Sequence, residues 1–252
     1  MRCLRGLCAA AVATLALVSC SGGTTERVNV AAAADLRYAL NDIITIAQDA
    51  NPDSEFAVTY GSSGQFLQQI VNGAPFDLYL SADRAFPQQL VDEGLATDPF
   101  RYAIGRLVLW VPEGSSLDPR DGLSVLSDAR RISIANPEHA PYGRAAVSAM
   151  ETAGVYDAAA DRLVLGENVA QAAEFVLTGN ADAGIVALSL VLSDPLRDVG
   201  TWWEIPVDTF PTIDQGGALI TDSAGARALR DILTGPQGRD ILARYGFTLP
   251  EA

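Results

Sequence analysis

The sequence predicts an α/β protein with parallel sheets, and three observations predict it. Short apolar runs alternate along the chain with segments whose apolar residues recur every three or four positions. Several of those helix-period segments stop at a glycine. No repeat at solenoid periods and no low-complexity tract breaks the alternation. Strands that alternate with helices need crossover connections, and these favour parallel pairing.

The elements follow in order. Val28 to Ala33 is an apolar run suited to a buried strand, and Leu36, Ala39, Leu40, Ile43 and Ala47 then lie on one helix face. Phe56 to Tyr60 is a second strand, and Phe66, Leu67, Ile70 and Val71 mark a helix ended by Gly73. Leu78 to Leu80 is a third strand, with a short helix near Phe86 to Glu93. Further strands are Leu107 to Val111 and Ile132 to Ala135, before a helix from Ala145 to Ala153 that ends at Gly154. Leu163 to Leu165 is a strand, Ala170 to Leu177 a helix ended by Gly179, and Ala183 to Val186 another strand. Gly216 to Thr221 reads as extended, and helices cover Ala224 to Leu233 and Gln237 to Tyr245. The rhythm changes around Tyr102 to Leu109 and again at Trp202 to Pro206, as it would if the chain crossed twice between two lobes. Trp202 and Trp203 read as packing residues at such a crossing.

Composition removes whole classes of function. Seventeen basic residues against 31 acidic ones leave a net charge of −14, which disfavours nucleic-acid binding. Every basic residue is arginine, so Schiff-base chemistry, the phosphate-loop lysine and the kinase lysine are all excluded. His139 is the single histidine, which rules out a multi-histidine metal site and leaves a Ser-His-Asp enzyme one candidate base. No Cys pair, Walker A, G-x-G-x-x-G or G-x-S-x-G motif is present, and no carboxylate pair stands out as catalytic.

The first residues read as an address. Arg2 and Arg5 precede an apolar run from Leu7 to Val18, which at about twelve residues is too short for a bilayer span and suits an export signal. The run ends Leu17-Val18-Ser19-Cys20, a resemblance to the lipobox of bacterial lipoproteins, in which the cysteine is lipidated. That divides the chain into a signal peptide, 1–19, and a small polar tether, 20–27. Cleavage before Cys20 leaves 233 residues with that cysteine alone, hence no internal disulfide, and removes two arginines to give a net charge of −16.

Four strand-to-helix junctions carry small, hydroxyl or amide residues: Ala33-Ala34-Asp35, Gly61-Ser62-Ser63-Gly64, Pro141-Tyr142-Gly143 and Gly166-Glu167-Asn168. A helix start exposes unpaired N–H groups and the positive end of a dipole, so several starts facing one cleft would bind an anion with neutral donors. Singly, each junction is equally an ordinary helix cap.

These junctions resemble, with Val30-Ala31-Ala32-Ala33-Ala34-Asp35-Leu36, Gly73-Ala74-Pro75-Phe76-Asp77-Leu78, Ser81-Ala82-Asp83, Asn136-Pro137-Glu138-His139-Ala140-Pro141-Tyr142-Gly143, Gly184-Ile185-Val186 and the tail Gly235-Pro236-Gln237…Tyr245-Gly246-Phe247, the molybdate-binding proteins of bacterial ABC transporters. The resemblance runs in order through essentially the whole chain after the tether. It implies a two-lobed periplasmic-binding-protein (type II) architecture with the ligand cleft between lobes. The lobes are expected at 28–104 plus 208–252 and at 105–207. It also implies a monomeric carrier, not an enzyme, that takes molybdate or tungstate to an ABC permease without a cofactor; the only metal is that of the bound oxyanion. Another anion (sulfate, chromate, phosphate or an organic acid) is the alternative ligand, and an exported hydrolase the remoter alternative.

Carrying the family's site across gives Asp35, Ser63, Tyr142, Val169 and Ala187 as ligand-binding residues. Ser63 donates through its hydroxyl and N–H, and Val169 through its N–H. Ala187 stands where many members have tyrosine, and Tyr142, where those members have alanine, is expected to return a phenol from the opposite wall. Asp35 replaces a neutral donor. A carboxylate about 4 Å from an anion costs roughly 4 kcal/mol per charge pair at an effective dielectric of about 20. Its carboxylate is therefore expected to turn away and cap its own helix; protonation, or a ligand that is not a bare dianion, are the alternatives. His139 is expected in loop hydrogen bonding and Arg144 in an ion pair.

Overall fold

The computed structural model describes residues 25–250; the segment read as an export signal, Cys20 and most of the segment read as a tether lie outside them. In chain order the elements are β1 (Glu26–Ala33), α1 (Arg37–Ala50), β2 (Ser54–Gly61), α2 (Ser63–Val71), β3 (Leu78–Ser81), α3 (Ala85–Asp92), β4 (Thr97–Gly105) and β5 (Leu107–Pro112). There follow β6 (Ile132–Ala135), α4 (Pro141–Thr152), α5 (Tyr156–Ala159), β7 (Leu163–Gly166), α6 (Val169–Leu177), β8 (Ala183–Ala187), α7 (Leu188–Val191), β9 (Gly200–Glu204), β10 (Ile213–Leu219), α8 (Ala224–Thr234) and α9 (Pro236–Arg244). A single 3-10 turn, Ala34–Leu36, joins β1 to α1.

The strands form two five-stranded sheets, in the orders β2-β1-β3-β10-β4 and β7-β6-β8-β5-β9. The protein is two-lobed, one sheet to each lobe. The chain passes from β4 to β5 through Arg106 and returns between β9 and β10. Arg106 pairs with Glu204, tying the two crossing segments together.

Both sheets are mixed, which corrects the expectation of parallel ones. β1 is parallel to β2 and β3, and β6 is parallel to β7 and β8, but β10 and β5 are antiparallel to both neighbours. The cause is the crossing. β1, β3, β6 and β8 run toward the edge that faces the other sheet, whereas β5 and β10 enter their sheets at that edge and must run away from it.

Strand periodicity sorts the first lobe's core onto two faces. Val28, Val30, Ala32, Leu78 and Leu80 are buried with α1, α8 and α9 on one side. Ala31 and Tyr79 are buried with Phe66, Leu67, Ile70 and Leu90 of α2 and α3 on the other. The second lobe's core is built on Leu107, Leu109, Trp110, Ile134 and Ile185, and it is continuous with Ala33, Ala34 and Ala82 of the first lobe. Small residues thus let the two lobes touch where β1 and β3 end.

Candidate functional site

Where the lobes meet, a small cavity of about 10 Å³ is lined by all four junctions and by Ala82. From the first lobe come Ala33, Ala34 and Asp35 after β1, and Gly61, Ser62 and Ser63 after β2. From the second come Ala140, Pro141 and Tyr142 at the start of α4, and Asn168 and Val169 at the start of α6. Each position follows from local sequence. Pro141 at the first helical position makes Tyr142 the first N–H donor of α4. Asn168 caps α6 by accepting from the Ala170 and Gln171 N–H groups, leaving that of Val169 uncapped. The first-turn N–H groups of Ser63, Tyr142 and Val169 have no intrahelical acceptor, so the cavity collects donors and dipole ends from both lobes.

Ser63 is the first residue of α2, not its cap. Its Oγ accepts from the Ala82 N–H at 2.9 Å, and its carbonyl accepts from the Tyr79 hydroxyl at 2.6 Å. With the oxygen already accepting, the hydroxyl proton is left to donate. Ser63 and Asp35 are each only 1 % exposed.

Asp35 does not cap its own helix through its hydrogen bonds, contrary to expectation. Its Oδ2 accepts from Gln215 Nε2 at 2.6 Å and from the Tyr142 hydroxyl at 3.1 Å. A donor from β10 in the same lobe and another from α4 across the lobe boundary capture it. Burial pushes the carboxyl from its usual 3.8 up to about 6, against the lowering effect of those two donors and of the nearby Asp35 and Leu36 backbone N–H groups. The Tyr142 phenol is likewise raised well above 10, first by burial and then by the adjacent Asp35. Its proton goes to the carboxylate, so the phenol expected to face the ligand is already engaged, and Tyr142 brings its backbone N–H instead.

Ala187 does not line the cavity. It ends β8 opposite Leu107, fully buried, and its methyl group is too short to reach across. Two residues on, the Ser189 hydroxyl donates to the Asp35 carbonyl at 2.8 Å. Gln215 and Ser189 hold Asp35 without lining the cavity, and sequence reasoning missed both. A lone amide entering the apolar run of β10 was the available signal for Gln215; Ser189 offered none.

The rim is closed by polar contacts between lobes. The His139 carbonyl accepts from the Gly64 N–H at 2.9 Å and from the Ser62 hydroxyl at 2.7 Å. Because Ser62 spends its proton there, the His139 Nδ1 at 2.9 Å must be the protonated ring nitrogen, leaving Nε2 to accept from Gln65 at 3.4 Å. A side chain at Gly64 would put its Cβ 2.5 Å from that carbonyl, so closure requires glycine. Gln65 also donates to Glu167 at 2.7 Å, and Arg144 pairs with Asp83 at 2.8 Å. His139 and Arg144 thus take the loop and ion-pair roles expected of them. Trp202 lies half-exposed on the edge strand β9, away from the cavity.

The Asp35 environment predicts a pH effect on stability. A raised carboxyl favours the folded state while protonated and loses that contribution as pH rises from 3.8 through about 6. At 1.36 kcal/mol for each tenfold step, the loss is about 3 kcal/mol. Denaturant titrations at pH 4, where the unfolded carboxyl is already partly ionised, and at pH 7.5 should show Asp35→Asn gaining about 2 kcal/mol on the unsubstituted protein between the two; equal pH dependence would refute it.

Comparison with known proteins agrees with this geometry. The family model described as "Bacterial extracellular solute-binding protein" matches residues 28–248. The molybdate-binding protein ModA of Azotobacter vinelandii is 37% identical over 92% of this chain and 94% of its own length. That of Rhodobacter capsulatus is 40% identical over 75% and 77%. The solved periplasmic molybdate-binding protein of Azotobacter vinelandii superimposes with a TM-score of 0.81 and 30% identity, covering 89% of this chain and all of that one. The chain belongs to the bacterial extracellular solute-binding protein family, whose members bind substrates for ABC transport and are not enzymes.

Proposed function

We propose that this protein captures molybdate or tungstate outside the cytoplasm and hands it to an ABC permease, held to the membrane by a lipid on Cys20. The observation that carries the reading is the convergence of uncharged helix-start donors from both lobes on one small cavity. Four oxygens carrying two negative charges match such a set. Each charge-assisted bond inside a closed, dry cavity is worth about 1.5–3 kcal/mol. The relatives named as molybdate-binding proteins support the choice of ligand. Molybdate and tungstate are nearly equal in size, so the same cavity takes both.

In this reading, segments 28–104 with 208–252 and 105–207 are the two lobes, closing on the anion between them. Asp35, Ser63, Tyr142 and Val169 meet it; Ala187 supports the wall from behind. A second reading has one specific support. The buried Asp35 carboxyl has an oxygen without a partner, Oδ1, which would accept the proton of hydrogen phosphate.

Titration calorimetry with molybdate, tungstate, sulfate and phosphate tests both. Molybdate and tungstate should bind and Ser63→Ala should weaken them at least about fivefold, the worth of about 1 kcal/mol. Phosphate binding without a response to molybdate would replace the ligand. For the anchor, Cys20→Ser should move the protein from the membrane fraction to the soluble one; unchanged fractionation would remove the lipid from the account.

A further inference from the structure

The wall of the cavity contains a carboxyl group whose two oxygens are treated differently. Asp35 Oδ2 is held by Gln215 and Tyr142, while Oδ1 is buried with no hydrogen-bond partner among the described residues. Asp35 itself lines the cavity. The groups packed around it are all neutral donors or apolar, and the backbone N–H groups of Asp35 and Leu36 are among the donors. From α4 and β4 come the phenols of Tyr142 and Tyr102, both pushed well above 10 by burial and so never ionised at ordinary pH. From β10 comes the Gln215 amide, from α7 the Ser189 hydroxyl on the Asp35 carbonyl, from α2 Ser63 and from α6 Val169. The His139 ring is bonded to Ser62 and Gln65, and Arg144 to Asp83, so neither hydrogen-bonds to Asp35.

A bound dianion and an ionised Asp35 would therefore face each other with no cation lining the cavity between them. A proton on Oδ1 changes that repulsion into a donated hydrogen bond, and it also satisfies the one open position of the carboxyl group. Resting on the oxyanion reading above, we propose that Asp35 receives its ligand as a neutral carboxylic acid, so that each dianion captured brings one proton from solvent onto Oδ1. The balance is simple: carboxylate plus a proton released by buffer gives carboxyl, and no other bond forms or breaks. Oδ2 stays the acceptor for Gln215 and Tyr142, which fixes Oδ1 as the position for the proton. Burial brings the group to about 6, so the proton is available at small cost near neutrality. The site thereby sorts ligands by their protons: a fully deprotonated oxyanion draws one from solvent, while hydrogen phosphate would bring its own.

The test is calorimetry of sodium molybdate binding at about pH 7.5 in two buffers of different ionisation enthalpy, together with Kd as a function of pH. The expected result is uptake of about one proton per molybdate, with Kd level below about pH 6 and weakening about tenfold per pH unit above it. Asp35→Asn, which presents an amide N–H in place of the acid proton, should bind more tightly than the unsubstituted protein at pH 7.5. It should show no buffer-dependent heat and no slope. Molybdate binding with no proton uptake and a level Kd would overturn the inference while leaving the oxyanion reading intact. So would loss of binding in an Asp35→Asn variant that melts normally, because the carboxylate itself would then be required. No binding of molybdate, tungstate or sulfate at any pH would remove the oxyanion reading and this inference together.

Discussion

A directional constraint governs the whole cavity. A strand that ends at a sheet edge and is followed at once by a helix places the helix's unpaired N–H groups and the positive end of its dipole at that edge. β1, β2, β7 and β8 hand over to a helical turn within two residues and β6 after the loop 136–140, and the two sheets are set so that these edges face each other. Ligands of open α/β sheets gather outside strand carboxyl ends for the same reason. Here two such edges share one focus, and the antiparallel β5 and β10 are the cost of joining them with one chain.

The second theme is charge without cations. The protein is strongly acidic, and Arg106 at the crossing and Arg144 in α4 are occupied with Glu204 and Asp83. Neutral donors do not attract an anion from afar, but inside a water-free space they need no counter-charge of their own to be desolvated. Asp35 is the exception that shows how strict this environment is. Placed among phenols, amides and hydroxyls, it is shifted by burial more than the donors around it can offset.

Much of this was legible in the chain. The strand and helix pattern located most elements to within a few residues, because apolar runs and three-to-four spacing report burial directly. β4 and β9 escaped it. β4 begins Thr97-Asp98-Pro99 and is exposed over its first half, and β9 is a partly exposed edge strand, so neither shows the apolar run of a buried one. The four junctions named from composition are those that line the cavity, and Asp35, Ser63, Tyr142 and Val169 are among them. What stayed hidden depends on distance in sequence. Gln215 reaches Asp35 across 180 residues and Ser189 across 154, and no local pattern records such meetings. The same blindness explains why the Tyr142 phenol and the Asp35 carboxylate were each assigned alone, when they are partners.

The rim contact at position 139 is received by a main-chain carbonyl, which every amino acid possesses. Gly64 and Ser62 on the opposing side are constrained by size and by their donated protons, but the side chain at 139 is free of that duty. Substitution there would keep the two carbonyl contacts and lose only the ring's bonds to Ser62 and Gln65, so one bank of the seam tolerates change that the other does not.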